Sequence, residues 1–234
     1  MNTTSAANIT LRTSNSTRSV LDLLIPEFER ATGHNVTLIL DTAKNSLARI
    51  KAGEGGDVAV LLGTSIDELV TLGVVARESS QPFARSSIGM AVLKGAPKPD
   101  ISTVEAFKRT LLNAKSIAHT VHGPSGAYFP GLIERLGIAE QVKPKTVTRP
   151  GGYIGVVVTA GEAQMAFQQI CELLAVQGLD VVGPIPEEIQ CNFDSKAAIF
   201  SASKNQIAAR ELLKYFARPE NATQFTTAGL RQLQ

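Results

Sequence analysis

Residues 9–40 read ITLRTSNSTRSVLDLLIPEFERATGHNVTLIL, and the order of elements within them decides the fold. Ile9 to Arg12 is a short run that predicts a strand. A polar loop follows from Thr13 to Thr17. Val20, Leu21, Leu24 and Phe28 then recur at helical spacing and mark one face of a helix ending near Gly33. Pro26 falls inside that helix, where its ring and missing N–H predict a kink. Val36 to Leu40 returns to strand.

The same alternation continues outward. Asp41 to Asn45 reads as a loop and Ser46 to Ala52 as a short helix stopped by Gly53. Val58 to Leu62 is apolar throughout, the pattern of a strand buried on both faces. Strands alternating with helices over short loops imply βαβ units and a mainly parallel sheet. After a Pro- and Gly-containing middle the pattern restarts. Ile88 to Leu93, Ile117 to His119, Met165 to Gln168, Val181 with Val182, and Ala197 to Phe200 read as strands. Val104 to Leu112, Tyr128 to Leu136 and Val156 to Ala160 read as helices, with further helices from Asn205 and Glu220. Breaks near Arg85 and in Pro186 to Asn192 divide the chain into residues 1–84 plus 192–234, a discontinuous lobe I, and residues 85–191, lobe II. The expected fold is α/β with two lobes, mixed mainly parallel sheets flanked by helices, and a ligand cleft between the lobes.

Composition narrows the function. Of 234 residues, 19% are charged and 5% aromatic, with a formal net charge of +2 and no Trp. The Lys and Arg residues are scattered, without the basic stripe and interleaved aromatics of a nucleic-acid binder. No run of 18 apolar residues exists, so direct membrane insertion is not expected. Met1 to Asn8 is polar and lacks the apolar core of a leader. The expected compartment is periplasmic if a leader has been removed, and cytoplasmic otherwise. Cys171 and Cys191 lie 20 positions apart and leave two readings open, buried free thiols or one disulfide.

The chemistry-bearing feature is a repeated strand, small polar loop and helix start. It appears at Thr13-Ser14-Asn15-Ser16-Thr17, Ala43-Lys44-Asn45-Ser46, Gly123-Pro124-Ser125-Gly126 and Pro150-Gly151-Gly152-Tyr153. The first four amides of a helix lack internal partners, and the helix dipole adds roughly half a positive charge there. Such ends hold anions. Ordinary N-capping explains any one of them; three or four at the same edge of two lobes point to shared anion binding. Arg18 and Lys44 lie in or beside these loops as candidate ligand cations. His119 and His122 have no third metal ligand at a supportive spacing, so neither a metal nor a cofactor is expected; either is a candidate general base. P-loop and dinucleotide fingerprints are absent, and Gly123 to Ala127 misses the nucleophile elbow at its last position.

Several stretches resemble the molybdate-type periplasmic solute-binding proteins. They include Phe28-Glu29-Arg30-Ala31-Thr32-Gly33, Ser46 to Gly53 followed by Gly56-Asp57-Val58, Ile88-Gly89-Met90-Ala91-Val92, Glu134-Arg135-Leu136-Gly137-Ile138 and Val142 to Val147. The resemblance runs from about Ile9 to Ala217. It implies the type II periplasmic-binding fold, a small anionic ligand and the membrane subunits of an ABC transporter as partners. Carried over residue by residue, it puts the first-loop serine at Ser16 or Ser14 and the second-loop group among Lys44, Asn45 and Ser46. The third-loop donor falls on Ser125 and the fourth-loop amide at Gly152 or Tyr153. The family's tyrosine falls on Gln169, after Gln168. A lysine in the second loop and a glutamine for the tyrosine favour an organic carboxylate over molybdate or tungstate. The aconitate isomerases resemble the same family and supply the alternative, an isomerase of a small polycarboxylate. In that reading Arg18, Lys44 and Arg149 clamp the substrate, and His119, His122 or Tyr128 moves the proton. A regulator's effector lobe shares the fold, but no helix-turn-helix segment accompanies it.

Overall fold

The computed structural model describes residues 6–234. The reading of Met1 to Asn8 as leaderless lies largely outside the described residues. The chain forms two compact units, Met1–Arg85 with Asp194–Gln234, and Ser86–Phe193.

The first unit is built on a sheet in the order β2 (Asn35–Asp41), β1 (Asn8–Ser14), β3 (Val58–Leu62), β9 (Asn192–Ile199). β1 runs parallel to both β2 and β3, while β9 is antiparallel to β3. β3 is buried on both faces because alternate residues serve different cores. Ala59 and Leu61 pack with Ile50, Ile66, Leu69 and Phe200. Val58 and Val60 point to the opposite face, as the period-two geometry of a strand requires. Helix α1 (Asn15–Thr32) buries Val20, Leu21, Leu24 and Phe28, and Phe28 meets Tyr215 of α9 (Gln206–Phe216) edge-on at 5.5 Å. Gly33 ends α1 at φ 76° and donates its N–H to Glu29 O, a backbone shape that needs glycine. The buried Asp57 fastens three segments. It accepts from Thr10 N at 2.8 Å, Ser203 Oγ at 2.5 Å and Asn205 Nδ2 at 3.2 Å.

The second unit holds β5 (Ile117–Thr120) between β6 (Thr146–Arg149) and β7 (Met165–Gln169), all parallel. β7 and β8 (Leu179–Pro184) pair antiparallel with β4 (Gln81–Leu93) along its residues from Ile88 onward. Helices α4 (Val104–Asn113) and α5 (Pro124–Arg135) cover one face through Phe107, Leu111, Phe129 and Leu132. Val157 and Val158 of α7 (Gly155–Thr159) and Leu173 of α8 (Ile170–Leu174) cover the other. β4 and β9 carry the chain across the boundary between units. Each crossing is pinned locally. Arg85 pairs with Asp194 through two contacts of 2.5 and 2.6 Å, and Ser87 donates to Asn192 at 2.8 Å.

The α/β class and the type II periplasmic-binding architecture therefore stand. Several boundaries differ from the sequence reading. Helices α1, α2 (Ala43–Lys51) and α5 begin two to four residues earlier than expected. In each case the polar residues read as loop form the first helical turn. α1 continues through Pro26 as one helix, leaving the Asp22 carbonyl without its backbone donor. The sequence reading leaves α3 (Gly63–Thr71), β6 and α8 unassigned; α3 carries Ile66, Leu69 and Val70 at helical spacing, whereas β6 and α8 are too short to show a period. Both cysteines are thiols, Cys171 buried and Cys191 half-buried. No helix of the described residues is long and apolar enough to cross a membrane.

Candidate functional site

In the first unit the parallel strands deliver three helix starts to one sheet edge. β1 leads into α1, β2 through Thr42 into α2, and β3 into α3. The edge is tied together from below. Thr13 Oγ1 contacts Thr17 Oγ1 at 2.5 Å and donates to Val60 O at 3.0 Å, while Ser46 Oγ reaches Thr13 O at 3.4 Å. Ser14 and Ser16 share a 3.3 Å hydroxyl contact, and neither side chain caps α1. Thr42 caps α2 by accepting from Asn45 N at 3.3 Å.

The charges at these starts run against the dipole rule. No acidic residue stands in the first turn of α1, α2 or α5, where the dipole favours one. Lys44 instead occupies the second position of α2, exposed and with no ion-pair partner among the described residues. A cation against the positive end of a dipole is a local conflict that a bound anion relieves. Arg18 is committed elsewhere, to Asp22 at 3.1 Å on an exposed helix face.

In the second unit β5, β6 and β7 end at a common edge. Thr120 pairs with Arg149, and the two loops continue side by side through Val121 N to Arg149 O at 2.8 Å and His122 N to Pro150 O at 3.0 Å. Helix α5 starts here with Pro124 at its first position. Ser125 is buried to 1% exposure and Thr120 to 2%, yet Ser125 Oγ and Thr120 Oγ1 have no hydrogen-bond partner among the described residues. A buried hydroxyl left unmatched costs about 1–3 kcal/mol. Thr120 ends β5 and Ser125 stands in the first turn of α5, so both unmatched hydroxyls belong to one strand-to-helix junction.

The two glutamines at the tip of β7 have different duties. Gln168 accepts from Ile154 N at 2.9 Å and donates to Gly152 O at 2.8 Å, so its amide clamps the loop that carries Gly152 and Tyr153. Gln169 accepts from Ser86 Oγ and donates to Glu172 Oε2 at 3.3 Å. Burial pushes the Glu172 carboxyl up to about 8, against the smaller opposing pull of the Gln169 and Gln168 amides. A carboxyl whose folded-state value is raised binds a proton that the unfolded chain releases above about 4.5. Its contribution to stability is therefore complete below that value and is lost as the pH rises towards 8. The expected result is stability that falls across this window with a slope of up to ~1.4 kcal/mol per pH unit from this group. In Glu172→Gln that component of the slope disappears, which denaturant melts at pH 5, 6.5 and 8 measure. Equal slopes in the two proteins would contradict the assignment.

The remaining nominated groups lie at or near this edge. Buried His119 contacts Thr120 O through Nδ1 at 3.0 Å, stacks on Phe129 at 4.8 Å, and is pushed below its ordinary value by burial. His122 is exposed. Tyr128 donates its hydroxyl to Ile189 O at 2.8 Å and accepts from Arg135 at 2.7 Å. Arg149 pairs with Glu162. Among the described residues no three His, Cys, Asp or Glu side chains converge as metal ligands. Sequence reasoning missed Thr120 and Glu172. Thr120 falls just beyond the strand expected at Ile117 to His119, and Glu172 lies in a stretch to which the sequence reading assigns no element.

Three comparisons bear on this geometry. A model of the family described as bacterial extracellular solute-binding protein matches residues 9–231. An aconitate isomerase of Pseudomonas sp. is 36% identical over 229 residues, covering 95% of this chain and 87% of that relative. The periplasmic molybdate-binding protein of Azotobacter vinelandii superposes with a TM-score of 0.80 at 17% identity, over 97% of this chain and 100% of that one. The sulfate-binding protein of Mycobacterium tuberculosis H37Rv gives 0.76 at 16% identity, over 97% and 88%.

Proposed function

The chain belongs to the bacterial extracellular solute-binding protein family, and from that premise we propose that it holds a small organic polycarboxylate. The observation that carries the reading is the pair of unpartnered buried hydroxyls, Thr120 Oγ1 and Ser125 Oγ, at the start of α5. Hydroxyl donors at a helix amino end suit an acceptor-rich anion. Gly152 and Tyr153 lie on the loop that Gln168 clamps, with Gln169 beside it. The first unit carries its own set of candidate donors, Ser14, Ser16, Asn45 and Ser46, with Lys44 as the cation beside them, while Arg18 is held by Asp22. Lys44 favours a carboxylate over molybdate or tungstate, because a compact dianion is served by neutral donors alone. The extracellular description of the family supports a periplasmic location, with ABC-transporter membrane subunits as partners.

The isomerase is the second reading, favoured by 36% identity to an aconitate isomerase along nearly the whole chain. It takes the same ligand class and adds turnover. Thermal shifts across trans-aconitate, citrate, succinate, molybdate and sulfate test the ligand class. The tricarboxylates are expected to raise Tm most, since ligand at 100 Kd stabilises by about 2.7 kcal/mol. Lys44→Ala is expected to weaken tricarboxylate binding about tenfold. A molybdate shift exceeding every carboxylate shift would move the protein to oxyanion transport.

A further inference from the structure

We propose that Glu172 is the proton-transfer group of the second unit, the base and then the acid of an allylic proton shift in a bound tricarboxylate. The proposal rests on the isomerase reading of the preceding subsection and names the residue that would perform it.

Position is the first argument. Gln169 caps α8 and Glu172 is the third residue of that helix, so its side chain turns back towards the tip of β7. There Gln169 Nε2 meets Glu172 Oε2 at 3.3 Å. β7 lies next to β5, and strand neighbours are about 4.8 Å apart. The carboxyl thus belongs to the same sheet edge as Thr120, Ser125 and the loop fixed by Gln168. At 8% exposure it is nearly enclosed.

Its surroundings are the second argument. The groups facing it are the amides of Gln168 and Gln169 and the neighbouring Cys171 thiol, itself pushed up by burial and by Glu172. β8 packs on the same helix, and its one titratable residue, Asp180, accepts instead from Gly95 N. Among the described residues no cation neutralises Glu172 in the manner of a structural ion pair. Burial raises this carboxyl to about 8, the direction wanted of a group that both takes and returns a proton. The other acid–base candidates on this unit have different surroundings. Tyr128 both donates and accepts, His119 is held against a carbonyl and an aromatic face, and His122 stands in solvent.

The step balances without a co-reactant. The Glu172 carboxylate takes a proton from the methylene carbon of the propene tricarboxylate. The released C–H electron pair forms the new double bond, and the old double bond's pair moves towards the far carbon and its carboxylate. The Glu172 carboxylic acid then gives a proton to the former vinylic carbon. One C–H bond breaks and one forms.

The test uses the full chain with trans-aconitate in deuterated water, followed by proton NMR. The expected result is cis isomer together with deuterium at the allylic carbon, a rate that rises with pH towards 8, and a loss of at least tenfold in Glu172→Gln. The variant keeps an amide in place of a neutral carboxyl, so its ligand-induced thermal shift is expected to persist. A rate within tenfold of the parent in Glu172→Gln overturns the proposal. So does a parent protein that shows the thermal shift but neither turnover nor exchange, which leaves ligand binding standing. Absence of both shift and turnover removes the binding reading as well. Should Glu172→Gln fail to fold, the parent's pH–rate profile decides, and a flat profile between pH 6 and 9 overturns the assignment.

Discussion

Gly126→Ala is expected to lower the melting temperature by roughly 10 °C or to prevent stable folding of the second unit. An alanine usually improves a helix, by about 1 kcal/mol over glycine. Here that gain is overwhelmed. A Cβ at Gly126 would stand 1.7 Å from Thr120 O and 2.5 Å from its carbonyl carbon, both backbone atoms. Such contacts are relieved only if the start of α5 lifts away from the end of β5. Lifting it breaks the packing of Phe129 on Phe167, whose rings lie 4.6 Å apart, and of Phe129 on His119. Substitutions costing more than ~4 kcal/mol are exceptional and come from a short list of mechanisms, of which this steric conflict is one. At ~2–4 °C per kcal/mol for a chain of this size, the shift is large. Gly123→Ala is the informative control, since its Cβ would meet only the Thr120 hydroxyl, at 2.6 Å. Calorimetry of both variants measures the difference. A Gly126→Ala melting point within 3 °C of the parent would show that the junction is soft.

The second large effect has opposite signs for stability and for binding. Thr120→Val with Ser125→Ala removes two buried hydroxyls that have no partner among the described residues. Valine preserves the shape of threonine, and alanine opens little space. The ligand-free protein is therefore expected to gain ~2 kcal/mol, about half the full penalty of two unmatched groups. The same variant is expected to lose 100-fold or more in affinity for a polycarboxylate, because each hydroxyl-to-carboxylate bond contributes about 1.5–3 kcal/mol. Denaturant melts and calorimetric titration on one preparation read both quantities. A double variant that is less stable, or that binds as tightly as the parent, would remove these hydroxyls from the ligand site.

The sequence made some of this legible and hid the rest for physical reasons. Continuous apolar runs reveal the buried strands, because β3 must satisfy a core on each face. The polar helix starts were visible as composition, but their boundaries were not. Ser, Thr and Asn favour both loops and first helical turns, so Asn15 and Lys44 read as loop although they stand in helices. Ser125 is nominated through its place at a helix start. Thr120 is not, because its importance lies in an unmet hydrogen bond and not in its residue type. Glu172 was hidden for a related reason. Enclosure gives a carboxyl its chemistry, and five residues of α8 are too few to show which side faces inward. The Gln168 amide bonds Gly152 and Ile154 across 16 and 14 positions, a relation that spacing cannot disclose.

That last contact has a kinetic meaning. Gly151 and Gly152 give their loop more backbone freedom than other residues would, and Gly152 uses it at φ 87°. Fixing one backbone residue costs about 1–2 kcal/mol. If three loop residues became ordered only on encounter, arriving molecules would meet a disordered target, and affinity would fall by roughly 10²–10⁴. Gln168 moves that ordering into the folding of the chain. A ligand at the proposed site would meet a loop already set, and capture would proceed at the pace of diffusion and not at the pace of a searching backbone.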